Sequence, residues 1–182
     1  MAKRAQTQFQ FKAFKDYTRT EHGGDLRTGV RKLARPLATR TPMHIVLRSS
    51  RAKGNSSMLS KAHFARVQAI VYKFAKTNNV HISQFANVGN HLHLLVQAKS
   101  RTGFQNFLRT ITGLIARLIM GAVKGRPGGK FWDSLAFSRT VSWGRDFRAA
   151  MKYVFQNTKE SSGIPTARKP ATRLTATLYG FA

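Results

Sequence analysis

Two histidines one residue apart, in Asn90-His91-Leu92-His93-Leu94-Leu95-Val96, are the side chains here best suited to holding a metal ion. In an extended strand alternate side chains share a face. His91 and His93 then project together, roughly 6–7 Å apart at Cα, while Leu92, Leu94 and Val96 point the other way. Neutral imidazole is a common metal ligand, and two such rings can converge on one divalent ion. The same pattern also describes two ordinary strand histidines, one of them satisfied by a backbone carbonyl. A second set stands further along. Tyr153 and Asn157 are four residues apart, so on a helix they share a face. Both lie ~80–120° to one side of the apolar stripe Phe147, Met151 and Val154. Ala149 and Ala150 leave room beside them, and Arg145, Arg148, Lys152 and Gln156 hold the more exposed side. A tyrosine on that polar flank suits contact with a phosphate. It equally suits a ring at the edge of the core with its hydroxyl in water.

Each set needs an element to present it. Met43–Leu47, just after Pro42, is a short apolar run and reads as a strand. A loop over 49–60 follows, with Ser60 as the expected N-cap of a helix over 61–77. Phe64, Val67, Ile70, Val71 and Phe74 recur there at three- and four-residue steps. Residues 80–88 and 91–98 read as strands with a hairpin break at Gly89-Asn90. A longer helix is predicted over 101–123 from Phe104, Phe107, Leu108, Ile111, Leu114, Ile115, Leu118 and Ile119. A Gly-rich loop leads to a last strand within 131–142 and a last helix over 145–158. The fold class expected is α+β. The first six elements give the ferredoxin-like split β-α-β pattern, an antiparallel sheet with two helices on one face, and the extra C-terminal helix carries Tyr153.

The chain has 182 residues, 32 Lys+Arg against 6 Asp+Glu, and a formal net charge of +26. The excess is not confined to the ends. Residues 1–42 have ten bases and three acids, residues 43–157 eighteen and two, and residues 158–182 four and one. Such a surface binds a polyanion, with a groove or face of the folded part tracking phosphates. A nucleic-acid packing protein would carry the same charge. Cysteine is absent, which removes disulfides, thiolate zinc sites and cysteine nucleophiles. No apolar run approaches ~18 residues, so no membrane partner is expected. The start lacks the apolar stretch of a secretory signal, which favours a cytoplasmic, nucleoid-associated protein. Three parts are expected: a basic flexible arm over 1–42, a folded domain over 43–158 that carries the histidine and tyrosine sets, and a basic tail over 159–182.

Taken together, these residues resemble the HUH single-tyrosine transposases, most closely the REP-associated tyrosine transposases with their IS200-like transposase domain. Four blocks carry the resemblance across residues 22–160. His22-Gly23-Gly24 and the Arg-rich stretch after it are similar to an arm found in one branch. Pro42-Met43-His44-Ile45-Val46-Leu47-Arg48 looks like the first strand. Asn90–Val96 matches the HUH strand, with Leu92 as its middle residue, and Lys152-Tyr153-Val154-Phe155-Gln156-Asn157 matches the Tyr-x-x-x-Asn helix. The chain departs from the pattern at Thr158, where proline is frequent, and at Ser134, where a basic residue is common.

The resemblance implies a function. Tyr153 would be the nucleophile, and His91, His93 and the Asn157 carboxamide oxygen would hold a divalent cation, Mg²⁺ or Mn²⁺. The substrate would be single-stranded DNA, possibly folded as a hairpin. It would be cut and rejoined through a 5′-phosphotyrosine that conserves the bond for transfer. Candidate phosphate contacts are Arg27, Arg31, Lys32, Arg35, Arg48, Arg101, Arg109, Arg117, Arg139, Arg148 and Lys152. Trp132, Phe137 and Trp143 are candidates for base stacking or core packing. A homodimer is compatible with the resemblance. Two alternatives stay open: a non-catalytic basic nucleic-acid binder on the same fold, and a small nicking enzyme of the replication-initiator or relaxase type. No general base for Tyr153 is evident. Asp146, near the start of the last helix, is explained as readily by the helix dipole.

Overall fold

The computed structural model describes residues 20–24, 34–123 and 128–161. Its elements run β1 (Glu21–His22), β2 (Met43–Arg48), α1 (Phe64–Thr77), β3 (Val80–Asn87), β4 (His91–Ala98), α2 (Arg101–Met120), β5 (Phe137–Thr140) and α3 (Arg145–Ser161), with a 3-10 turn at Gly54–Ser56. The sheet is antiparallel in the order β1-β5-β2-β4-β3. From β2 onward this is the split β-α-β arrangement: β2 and β4 lie side by side at the centre, each returned through a helix to an outer strand.

The period-2 alternation of β2 and β4 sorts their side chains onto two faces. Met43, Ile45, Leu47, Leu92, Leu94 and Val96 face one way and are at most 2% exposed. Against them pack Val67, Val71 and Ala75 of α1 and Phe104, Phe107, Ile111 and Ile115 of α2. Helix α2 begins where Ser100 Oγ accepts the Gly103 N–H at 3.0 Å, and ends at Gly121, whose φ of 60° is the left-handed conformation of a helix stop. The other face carries His44, Val46, Arg48, His91, His93 and Leu95. Helix α3 covers it through a smaller apolar cluster of Leu95, Val141 and Ala150, with Phe147 and Met151 alongside.

The structure differs from the sequence expectation at several borders. Helix α1 starts at Phe64, and His63 rather than Ser60 is its N-cap. The Ser60 hydroxyl instead meets His63 Nδ1 at 2.9 Å, while its carbonyl accepts the Phe64 N–H. The last strand is only 137–140, because the chain from 131 to 136 is irregular: Trp132 donates Nε1–H to the Thr112 carbonyl, and Asp133 turns back on Arg48 and Ser50. Two stretches of the expected flexible arm are ordered on the domain. Glu21–His22 pairs with β5, and Arg35 reaches Ser138 Oγ and the Ala136 carbonyl. Gly23 has φ +83°, and a Cβ there would collide with the Ala136 carbonyl, so the His-Gly-Gly motif is a close backbone crossing.

Candidate active site

The hairpin between β3 and β4 sets the position of the first histidine. Gly89 turns the chain at φ 93°, and the Asn87 side chain accepts its N–H at 3.0 Å. Asn87 also donates to the Met58 carbonyl at 2.7 Å, tying the turn to the preceding loop. His91 emerges just after this turn, with Nδ1 at 2.6 Å from Asn90 Oδ1. His93 follows on the same face, at the centre of the sheet and 2% exposed. Their ring centroids are 4.7 Å apart. His93 Nε2 is buried without a hydrogen-bond partner. Buried polar atoms are seldom left so.

Helix α3 brings Tyr153 over the same spot. The ring stands edge-on to His93 at 5.6 Å between centroids and edge-on to His44 at 5.9 Å. The sequence expectation of a tyrosine on the flank of α3 is met: Val154 is fully buried, Tyr153 half-buried, and Lys152 and Arg148 exposed. Asn157 lies one turn on, half-buried, and donates its amide N–H to the Tyr153 carbonyl at 3.1 Å. That leaves its carboxamide oxygen as the group for a ligand role.

His44 is a residue that the sequence reading passed over. It sat in the first-strand block without a role, because one histidine in an apolar strand reads as core. The signal was in the alternation: with β2 and β4 antiparallel, His44 falls on the face of Arg48, not of Ile45. It is 2% exposed, and its Nε2 lies 3.3 Å from His93 Nδ1.

Burial, helped by neighbouring positive charge, makes these rings poor bases. Burial pushes the His44 imidazole down to about 4, with the Arg139 charge adding to the effect. Burial likewise pushes His93 far down, helped by His44 and His91, and lowers His91, helped by Arg48. All three are thus neutral near pH 7, the form that donates a lone pair. Among the described residues no group of three or more His, Cys, Asp or Glu is arranged to hold a metal. Any cation bound here would have to draw on a mixed donor set, with the neutral imidazoles of His91 and His93 and an amide oxygen such as that of Asn157 as the candidates. The orphaned His93 Nε2 is the observation that fits a cation there.

The candidate phosphate contacts divide. Arg48 is exposed beside His91 and pairs with Asp133 at 3.6 Å. Arg148 and Lys152 are exposed on α3. Arg139 is turned inward on Asp146, two contacts at 3.1 Å. Partial burial pushes the Asp146 carboxyl up, but Arg139 and the Ser142 N–H outweigh it and hold the group below its usual value. Asp146 is thereby a structural acid rather than a general base. Arg101, Arg109 and Arg117 lie on α2, across the sheet from Tyr153. Arg35, Arg101 and Arg109 line a cavity of about 390 Å³ with Trp132 and Ser134. Trp143 is exposed, its ring tilted at 53° to that of Phe147 and its Nε1–H on the Arg40 carbonyl. Arg27, Arg31 and Lys32 lie outside the described residues.

The IS200-like transposase family matches residues 38–157, about two thirds of the chain. The chain belongs to the IS200-like transposase family. Its function is therefore that of a transposase. The matched span runs from just before β2 to Asn157, so it contains His44, His91, His93 and Tyr153. The fold of this family member is similar to that of a REP-associated tyrosine transposase bound to a REP hairpin, at 11% identity and TM-score 0.52, covering 75% of this chain and 76% of that one. A Deinococcus radiodurans R1 protein described as a transposase is similar at 16% identity and TM-score 0.42, covering 70% of this chain and 98% of the other. No curated protein matches the chain in sequence.

Proposed function

We propose that this transposase cuts and rejoins single-stranded DNA with Tyr153 as nucleophile, aided by one divalent cation held by His91, His93 and Asn157. The observation that carries the reading is the Tyr153 ring lying edge-on to His93 at 5.6 Å, over a histidine whose Nε2 is buried and unpartnered. The same fold in a protein with a hairpin bound makes hairpin-bearing DNA the first substrate to try.

The Tyr153 phenol gives up its proton to solvent as its oxygen attacks phosphorus, a new O–P bond forms, and the bond from phosphorus to the 3′ oxygen breaks, that oxygen recovering a proton from solvent. The departing oxygen leaves as a 3′-OH, while the 5′ side stays on the protein. A bound Mg²⁺ or Mn²⁺ would supply Lewis-acid withdrawal of charge from the phosphate. His91 and His93 contribute neutral lone pairs, since burial keeps them unprotonated. The exposed Arg48, Arg148 and Lys152 border the site and attract the strand. Nothing is hydrolysed, so a second 3′-OH can reverse the step and join a new strand.

The test is a denaturing gel of 3′-labelled hairpin oligonucleotides with Mn²⁺, the label then staying with the 5′-phosphate fragment held on the protein. Wild type should give a covalent protein–DNA band. Tyr153→Phe should abolish it while binding stays within a few-fold, and His91→Ala or chelator should reduce it at least ~100-fold. An undiminished band from Tyr153→Phe refutes the nucleophile, and cleavage indifferent to both His91→Ala and chelator refutes the cation.

A further inference from the structure

We propose that His44 is a positioning residue. It accepts a hydrogen bond from His93 Nδ1–H and so fixes His93 in the tautomer whose Nε2 lone pair faces the site. This rests on the reading of His93 as a cation ligand and adds to it a residue on a different strand.

The placement follows from register. His44 stands opposite Leu95, and Val46 stands opposite His93. His44 and His93 are thus diagonal neighbours on one face of the central strand pair, within reach of long side chains. Both are 2% exposed, so each ring must satisfy its nitrogens inside the protein.

The contact between them has a definite form. The ring planes are 11° apart, which suits either a face-to-face stack or an edge-to-edge bond. The 5.5 Å centroid separation decides between these. With nitrogens 3.3 Å apart it is close to the largest separation that two five-membered rings allow. The two nitrogens therefore lie nearly on the line joining the rings. This is an in-line hydrogen bond and not a stack.

Such a bond between neutral imidazoles holds one proton, which leaves two arrangements. If His44 Nε2 carries it, His93 accepts at Nδ1 and must keep its own proton on Nε2. That places an N–H on the buried atom without a partner, and it leaves no lone pair for a cation. If His93 Nδ1 carries the proton, Nε2 presents its lone pair. A ligating histidine commonly has its ring fixed in this way, by an acceptor on its other nitrogen. Here the acceptor is an imidazole. The same His44 ring lies edge-on to Tyr153 at 5.9 Å, so it braces the ligand and flanks the nucleophile.

The test uses the full chain and three variants. In His44→Gln the amide oxygen can accept near where Nε2 stood, whereas His44→Leu fills the space with no acceptor, and His93→Ala removes the ligand. Long-range ¹H–¹⁵N spectra of the metal-free wild type should show His93 protonated at Nδ1. Mn²⁺ affinity, measured by electron paramagnetic resonance, should fall ~10–100-fold in His44→Leu and stay within a few-fold in His44→Gln. A wild-type His93 protonated at Nε2 overturns the proposal. So does a His44→Leu variant that binds Mn²⁺ like wild type while His93→Ala does not. Absence of Mn²⁺ binding in the wild type overturns the cation site itself, a different failure. Should His44→Leu not fold, the wild-type tautomer and the His44→Gln affinity decide.

Discussion

The placement of His91, His93 and Tyr153 was legible residue by residue because each belongs to a pattern with a period. A His-x-His in a strand faces one way, and a tyrosine four residues from an asparagine shares its helical face. His44 was not, because its partner lies 49 positions away and only pairing of β2 with β4 brings them within 3.3 Å. That burial has a consequence for stability. The His44 pKa is about 4 in the fold against 6.5 unfolded. Between those values the unfolded chain binds more protons than the native one, so stability is full above pH 6.5 and is lost as pH falls toward 4. The span corresponds to at most about 3 kcal/mol. Urea unfolding at pH 7.5 and pH 5 should show about 2 kcal/mol of this loss in the wild type and a clearly smaller one in His44→Gln. Equal losses in the two would contradict it.

At the scale of elements, the site depends on a joint that is separate from the main core. The α1 and α2 helices pack on one face through a large cluster that includes Phe104 and Phe107. Helix α3 docks on the other face through Leu95, Val141 and Ala150. Phe107→Ala should therefore cost about 3–5 kcal/mol and lower the melting temperature of the whole domain. Ala150→Leu should cost only about 1–3 kcal/mol but lift α3 and its tyrosine away from His93. The expected outcome is a folded protein, by circular dichroism and melting, with adduct formation down at least ~10-fold. Full activity in that variant would mean that α3 is not held by this joint. The periodic helices and strands were readable because burial on one side imposes 3.6- and 2-residue repeats. Strand β1 was not, since two residues, Glu21–His22, show no period and are held by pairing with β5. Strand β5 was overestimated because Phe131, Trp132 and Ala136 are apolar for contacts made by an irregular loop rather than by a strand.

Across the whole molecule, charge far exceeds what the fold can neutralise. Both acids of residues 43–157 are engaged by arginines, Asp133 by Arg48 and Asp146 by Arg139. Most of the eighteen bases in that span have no carboxylate to meet within it. Binding of single-stranded DNA should accordingly weaken steeply with salt. If about six phosphates are neutralised, affinity falls roughly 10²–10³-fold between ~50 and ~200 mM. Fluorescence anisotropy of a labelled oligonucleotide measures this, and a flat salt dependence would contradict it. The charge was plain in the sequence, but its division between the two faces of the sheet was not, because it required the sheet order. Arg48, Arg148 and Lys152 go with the tyrosine, and Arg101, Arg109 and Arg117 lie across the sheet. The most direct measurement is peptide mapping by mass spectrometry of the intact chain after reaction with a hairpin oligonucleotide and Mn²⁺. The account predicts a nucleotide joined through a 5′-phosphate to the peptide that contains Tyr153, with a free 3′-OH on the released strand. A nucleotide on any other residue, or cleavage that leaves no covalent adduct, would contradict it.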